Sequence, residues 1–200
     1  MAEMRRFQVD ALWDTDASGA RSVRRGGMCR SSGFSLTETL VVMAVAAMLA
    51  GIAVPSFAGW MRETRLTSMT NELLSTLHFA RSEAIKRNRR VTLCSSVTQD
   101  RCAENIGWQF GWIVFEDRDG DGRRTNSEQI LSVAARQGPA SRMSGSTSVR
   151  DYVSYVPTGE TRTRSGALQM GVVTACEGGA AKRVVIAATG RPRVVRQATC

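Results

Sequence analysis

Apolar and polar positions divide the chain into stretches with different periods. From Thr39 to Met61, 23 residues pass without a charge. As an α-helix this run spans about 35 Å at 1.5 Å per residue, enough to cross a bilayer. Beyond it, Leu66, Met69, Leu73, Leu77, Ala80 and Ala84 recur at intervals of three or four and form one apolar stripe. Arg62, Glu63, Arg65, Glu72, Arg81, Glu83 and Arg87 fall mainly off that stripe. The two patterns join into one predicted helix from about Phe34 to about Asn88, roughly 80 Å long. Pro55 is expected to kink or loosen it, with Gly51 adding freedom.

From Arg90 the period changes. Short runs at Val91–Cys94, Trp108–Phe115, Gln129–Ala134, Tyr152–Val156, Ala167–Val173, Arg183–Ala188 and Arg193–Arg196 read as strands, separated by Gly, Pro, Ser and Asp clusters. Trp108 and Trp112, four apart on one predicted strand, share a face and are expected in the core. Residues 136–150 read as a mobile loop. The fold class is therefore α+β, a long helix whose second half carries an antiparallel β domain. The expected organisation is a polar segment over 1–33, a membrane-spanning half-helix over 34–61, an amphipathic half over 62–89 and a β-rich domain with a basic tail over 90–200.

Charge sharpens this division. The net charge is +9 and the sequence pI near 10.3, which favours an anionic partner, nucleic acid or acidic lipid. Residues 34–160 are almost neutral, with 14 basic and 13 acidic residues, whereas 161–200 hold 7 basic residues and one acid, Glu177. Arg21, Arg24, Arg25 and Arg30 precede the apolar run and are expected to keep that end in the cytoplasm, leaving the β domain outside. The four cysteines after the run agree with an oxidising compartment. They lack CxxC spacing, and the lone His78 is distant, so two disulfides are a better reading than zinc. Short loops close at least entropic cost, which favours Cys94–Cys102 and Cys176–Cys200, although three pairings are open.

Two acidic features stand out. Glu38 is a lone carboxylate at the start of the apolar run, a costly place for a charge without a partner. DRDGDGRRTNSE, residues 117–128, fits a calcium-loop template with Asp117, Asp119, Asp121 and Glu128 as oxygen ligands and Gly122 at the turn. A strand, not a helix, precedes it, Arg124 stands where an apolar residue normally packs, and Arg118 and Arg123 weaken its field, so a Gly/Asp-rich β-turn is the competing reading. His78 reads as a packed or partly exposed helix residue. No catalytic triad, phosphate-binding glycine loop or paired-carboxylate site is present in the sequence, and no enzyme is expected.

GFSLTE followed by the apolar run resembles the type III signal of type IV pilins and pseudopilins. The resemblance implies that a prepilin peptidase cuts between Gly33 and Phe34 and that Phe34 becomes an N-methylated terminus. It implies a short leader, so that Met28 suits the start better than Met1. It also gives Glu38 a partner: the freed amine of a neighbouring subunit, which fixes the register of a filament of pilin subunits. Two opposite charges in a low dielectric each offset the other's burial. The helix over Met69–Asn88, then VTLCSS, GWIVFEDRDGDG and a final GRPR resemble, in order, the FimT/GspH group of minor pilins. That implies a type IV pilin-like fold in the inner membrane, single-pass with a periplasmic C-terminal domain, before assembly.

The tail adds a specific expectation. GRPR is similar to the GRxR motif with which FimT-type minor pilins bind DNA, which names Gly190, Arg191 and Arg193. Arg196, Lys182 and Arg183 lie close in sequence, and guanidinium groups suit phosphate. Binding of this kind is weak, sequence-independent and salt-sensitive. With no aromatic residue in the tail, base stacking is not implied, and phosphate contact in duplex DNA is. The expected function is a minor pilin that captures extracellular DNA in natural transformation. The alternative is a GspH-like pseudopilin of type II secretion with a purely structural role.

Overall fold

The computed structural model describes residues 33–138, 141–197 and 199–200, with side chains at all but 52–56 and 197. The expectations for the leader, for Met28 as start and for the arginines from Arg21 to Arg30 lie outside the described residues. The chain divides into two units, the first ending at Val45 and the second running from Ala46 to Cys200.

Helix α1 runs from Leu36 to Arg87, and its helical assignment continues through Pro55. Among the described residues no helix is long and apolar enough to cross a membrane. The apolar run that suggests a span passes through 52–56, whose side chains lie outside the described set. Within the second unit, Leu66, Met69, Leu73, Leu77, Ala80 and Ala84 are at most 4% exposed, so the whole predicted stripe is core. Each buried Leu contributes roughly 1.5–3 kcal/mol relative to exposure. His78 is exposed beside the stripe.

Eight strands follow: β1 (Val91–Ser95), β2 (Trp112–Glu116), β3 (Ile130–Ala134), β4 (Arg142–Gly145), β5 (Tyr152–Tyr155), β6 (Gly171–Glu177), β7 (Ala180–Ile186) and β8 (Pro192–Gln197). They form two antiparallel sheets, in the orders β3-β2-β1-β5 and β4-β6-β7-β8. Val91, Leu93, Trp112, Val114, Val153 and Tyr155 of the first sheet meet the helix stripe, as do Met143, Val173, Ala175, Val184 and Ile186 of the second. One core thus serves both sheets.

Three expectations change. The strand read over 108–115 begins only at Trp112. A single 3-10 turn, Trp108–Phe110, precedes it, and Gly111 between them has φ +103° with no room for a side chain, since a Cβ would lie 2.6 Å from the Ala134 carbonyl oxygen. Trp108 and Trp112 are nevertheless both buried, 6.4 Å apart edge to face. Trp108 Nε1 donates to the Val149 carbonyl and Trp112 Nε1 to Thr76 Oγ1. Second, the expected loop over 136–150 contains β4, which pairs with β6 although only Met143 in it is apolar. Third, the strand expected at 167–173 lies at 171–177. Buried Gln169 holds the preceding turn: its Oε1 accepts from Ser154 N, and its Nε2 donates to the Ser148 and Tyr152 carbonyls.

Candidate functional site

At the start of α1, Ser35 Oγ accepts the Glu38 backbone N–H at 3.2 Å. Ser35 is therefore the N-cap, and S-L-T-E has the spacing of a capping box, with Glu38 in the first helical turn. An acid there also meets the positive end of the helix dipole. The serine-to-glutamate spacing in the sequence was the signal for this cap. Glu38 is exposed, as are Phe34, Leu36 and Leu40 around it.

Both cysteine pairs are joined. Cys94 and Cys102 stand 5.5 Å apart at Cα, and Cys176 and Cys200 stand 6.0 Å apart. The first pair ties the loop after β1 over a small apolar cluster of Cys94, Ile113 and Phe115. The second holds the residues after β8 against β6, where Cys200 N donates to the Gly179 carbonyl.

The acidic loop gathers Asp117, Asp119 and Glu128 but not Asp121, so the four-carboxylate calcium set is not assembled. Its oxygens are engaged with the backbone. Asp117 Oδ1 accepts Gly120 N, while Oδ2 accepts Gly122 N and the Thr92 hydroxyl. Glu128 Oε1 accepts Arg118 N, and its Oε2 accepts Thr125 N. Asp121 Oδ1 instead accepts Arg123 N. Burial raises the Asp117 pKa, against the hydrogen bond from Thr92. The competing β-turn reading therefore accounts for the arrangement: carboxylates close a tight loop between β2 and β3 by capping its amides.

The basic tail is sorted by the sheet. In β7 and β8, Lys182 pairs with Arg196 and Val184 with Val194 on the face toward α1, whereas Arg183 pairs with Val195 and Val185 with Arg193 on the opposite face. Lys182 is 6% exposed; its Nζ lies 2.7 Å from Glu63 Oε1 and donates to Thr67 Oγ1. The hydrogen bond from Lys182 holds the Glu63 carboxyl below its usual range, and Arg196 adds attraction. Lys182 therefore belongs to the helix–sheet packing, not to a surface that meets DNA. This departs from the sequence grouping because strand alternation, invisible in a charge count, turns it inward.

Gly190 is also buried. Its φ is +75°, and a Cβ there would lie 1.9 Å from the Gly159 carbonyl oxygen. It lets the β7–β8 turn close against the 157–160 turn, with Gly190 N donating to the Ala187 carbonyl. The buried Tyr155 hydroxyl has no hydrogen-bond partner among the described residues, and burial raises its pKa. Its ring packs beneath this turn, 3.2 Å from where that Cβ would sit.

Arg183, Arg191, Arg193 and Arg196 are exposed. None makes an ion pair or side-chain hydrogen bond among the described residues, and the same holds for exposed Arg142 of β4. Many other arginines are matched. Arg87, Arg89 and Arg118 surround Glu116, Arg124 meets Asp100, Arg123 and Arg164 meet Glu104, and Arg65 meets Glu177. Five arginines without an acidic partner thus lie on or beside the second sheet, whereas Arg136, after β3, stacks on the Phe110 ring.

Comparison with known proteins places this geometry in context. The family model described as Type II transport protein GspH matches residues 69–190, and the prokaryotic N-terminal methylation motif matches residues 28–54. No curated protein matches the sequence at a significant level. Among solved structures, the minor type IV pilin FimU of Pseudomonas aeruginosa is similar, at 18% identity and TM-score 0.46, covering 65% of this chain and 92% of FimU. The minor pseudopilin EpsH of the type II secretion system of Vibrio cholerae is similar at 10% identity and TM-score 0.45, covering 66% of this chain and 97% of EpsH.

Proposed function

Because this chain belongs to the GspH family and carries the N-terminal methylation motif, we propose that it is a filament subunit cut between Gly33 and Phe34, whose outward-facing arginines capture duplex DNA. In this reading Phe34 is N-methylated after the prepilin peptidase acts. Glu38 then meets the new amine of a neighbouring pilin subunit as the helices stack from the inner membrane into the filament. The exposed apolar residues of the first helical turns, Phe34, Leu36 and Leu40, supply the lipid-facing and then subunit-facing surface. Mass spectrometry of the protein from cells is expected to give a chain that begins with methylated Phe34; a chain retaining the leader would refute the processing step.

The observation that supports DNA capture is the set of exposed arginines without acidic partners on the second sheet. Arg presents a planar, permanently charged donor pair that matches phosphate. For the detergent-solubilised full chain, Arg191→Ala/Arg193→Ala is expected to weaken binding to a short duplex and to lower the salt slope by about two. Titrations at about 50 and 200 mM salt read both quantities. Equal affinity of the two proteins would leave the second reading, a structural pseudopilin, which the type II transport description of the family favours.

A further inference from the structure

We propose that the outer face of the second sheet is a continuous phosphate track in which Arg142 and Arg183 extend the line begun by Arg191 and Arg193. This rests on the DNA-capture reading above and gives its site a direction and a length. Strand register supplies both. Arg142 of β4 pairs with Cys176 of β6, Thr174 of β6 with Arg183 of β7, and Val185 of β7 with Arg193 of β8. Paired residues in adjacent antiparallel strands project from the same face. Arg142, Arg183 and Arg193 therefore share one face, opposite to that of the core residues Met143, Ala175 and Val184.

The three do not line up across the strands. Arg183 sits two residues along from the Arg142 row, and Arg193 two further in the same sense. With strands about 4.8 Å apart and about 3.4 Å per residue, the backbone diagonal from Arg142 to Arg193 is roughly 20 Å. Arg191, just before β8, prolongs it in the same direction. Base pairs of a duplex advance about 3.4 Å each along the axis, so a diagonal laid along the axis has the length of roughly six base pairs. A tail hairpin alone reaches only its tip.

Two features make this face suited to a polyanion. Every other residue that register places on it is uncharged: Ser144, Val172, Thr174, Cys176, Ala181, Val185, Val195 and Gln197. Beside Arg142 is an open depression of about 630 Å³ whose lining includes the hydroxyl-bearing Ser144 and Thr174. One acid, Glu177, reaches that depression; it is 4% exposed and engaged by Arg65 and Ser141. Arg196 is excluded from the track, since it lies on the helix side opposite Lys182.

The test uses the detergent-solubilised full chain and one short duplex. Arg142→Ala and Arg183→Ala are compared with Arg123→Ala, an exposed arginine paired with Glu104 that removes the same charge elsewhere. Arg142 and Arg183 hold no contact that folding needs, so all variants are expected to fold. The track predicts a loss of roughly threefold to tenfold in affinity and a salt slope lower by about one for each track variant, with Arg123→Ala unchanged. If Arg142→Ala and Arg183→Ala bind like Arg123→Ala while Arg191→Ala/Arg193→Ala is impaired, the track is wrong and DNA capture by the tail stands. If the tail variant is also unimpaired, the DNA reading itself fails. Equal losses in all variants, Arg123→Ala included, would show a delocalised charge effect and overturn the track. So would an Arg142→Ala loss confined to phosphatidylglycerol vesicles, which would assign the face to a membrane surface.

Discussion

Gly190 and Lys182 show how single residues carry two possible meanings until packing is known. Both sit in the basic tail; Gly190 was grouped with its arginines by the GRxR resemblance and Lys182 by proximity. Gly190 adopts φ +75° with the Gly159 carbonyl where a side chain would be, so its role is to let two turns meet. Gly190→Ala is expected to destabilise the fold by about 1–3 kcal/mol from backbone strain, with displacement of Gly159 adding to it. Chemical denaturation of the full chain measures this, and a variant as stable as the parent would contradict the turn contact. Lys182 is different in kind. Its ammonium is buried against Glu63 and Thr67, where it joins α1 to β7. Arg191 and Arg193, one to eleven residues away, reach solvent unpaired because the turn and strand alternation direct them outward.

At the level of elements, α1 was the most legible. Six apolar residues at helical spacing were enough to identify its buried face, and all six are core. The last turn adds an electrostatic clasp. Arg87 Nε donates to Glu83 Oε2 at 2.5 Å, and Arg87 Nη1 lies 3.4 Å from Glu116 Oε2 of β2. The hydrogen bond from Arg87 holds the Glu83 carboxyl below its ordinary value of 4.5. A carboxylate lowered in the folded state adds stability that is present above the unfolded pKa and lost as pH falls through the folded one. Glu83→Gln is therefore expected to lower the melting temperature more at neutral pH than in acid, where the carboxyl is protonated. Thermal unfolding in both conditions checks the sign; a gap that widens in acid would exclude the clasp. Strand β4 is the opposite case. Arg-Met-Ser-Gly has no alternation to detect, and it becomes a strand because β6 offers a free edge beside it.

For the whole molecule, the decisive feature is where charge is balanced. Around the first sheet, acids and arginines are interleaved, as at Glu116 and Glu104. On the outer face of the second sheet they are not. Arginines on the exposed edge strand β8 also hinder edge-to-edge pairing with another sheet, a role that needs no ligand. The salt slopes of the tail and track variants separate these roles, since edge protection alone confers no phosphate contacts. The Cys176–Cys200 bond matters at this scale too, because it anchors the end of the arginine-bearing edge strand to the neighbouring hairpin.

The sequence by itself determined the N-terminal methylation motif, the helix and its buried stripe and the α+β class, and it favoured the two short-loop cysteine pairs among three open pairings. These depend on local spacing, on periodicity or on contacts between nearby residues, which are written linearly. Tertiary structure decided the capping role of Ser35, the inward turn of Lys182, the packing need for Gly190, the failure of Asp121 to join the acidic cluster and the shared face of Arg142, Arg183 and Arg193. Each of these depends on which strands become neighbours and in what register. A shift of one residue would turn the arginine face inward, and only the packing of two sheets on one helix forbids that shift.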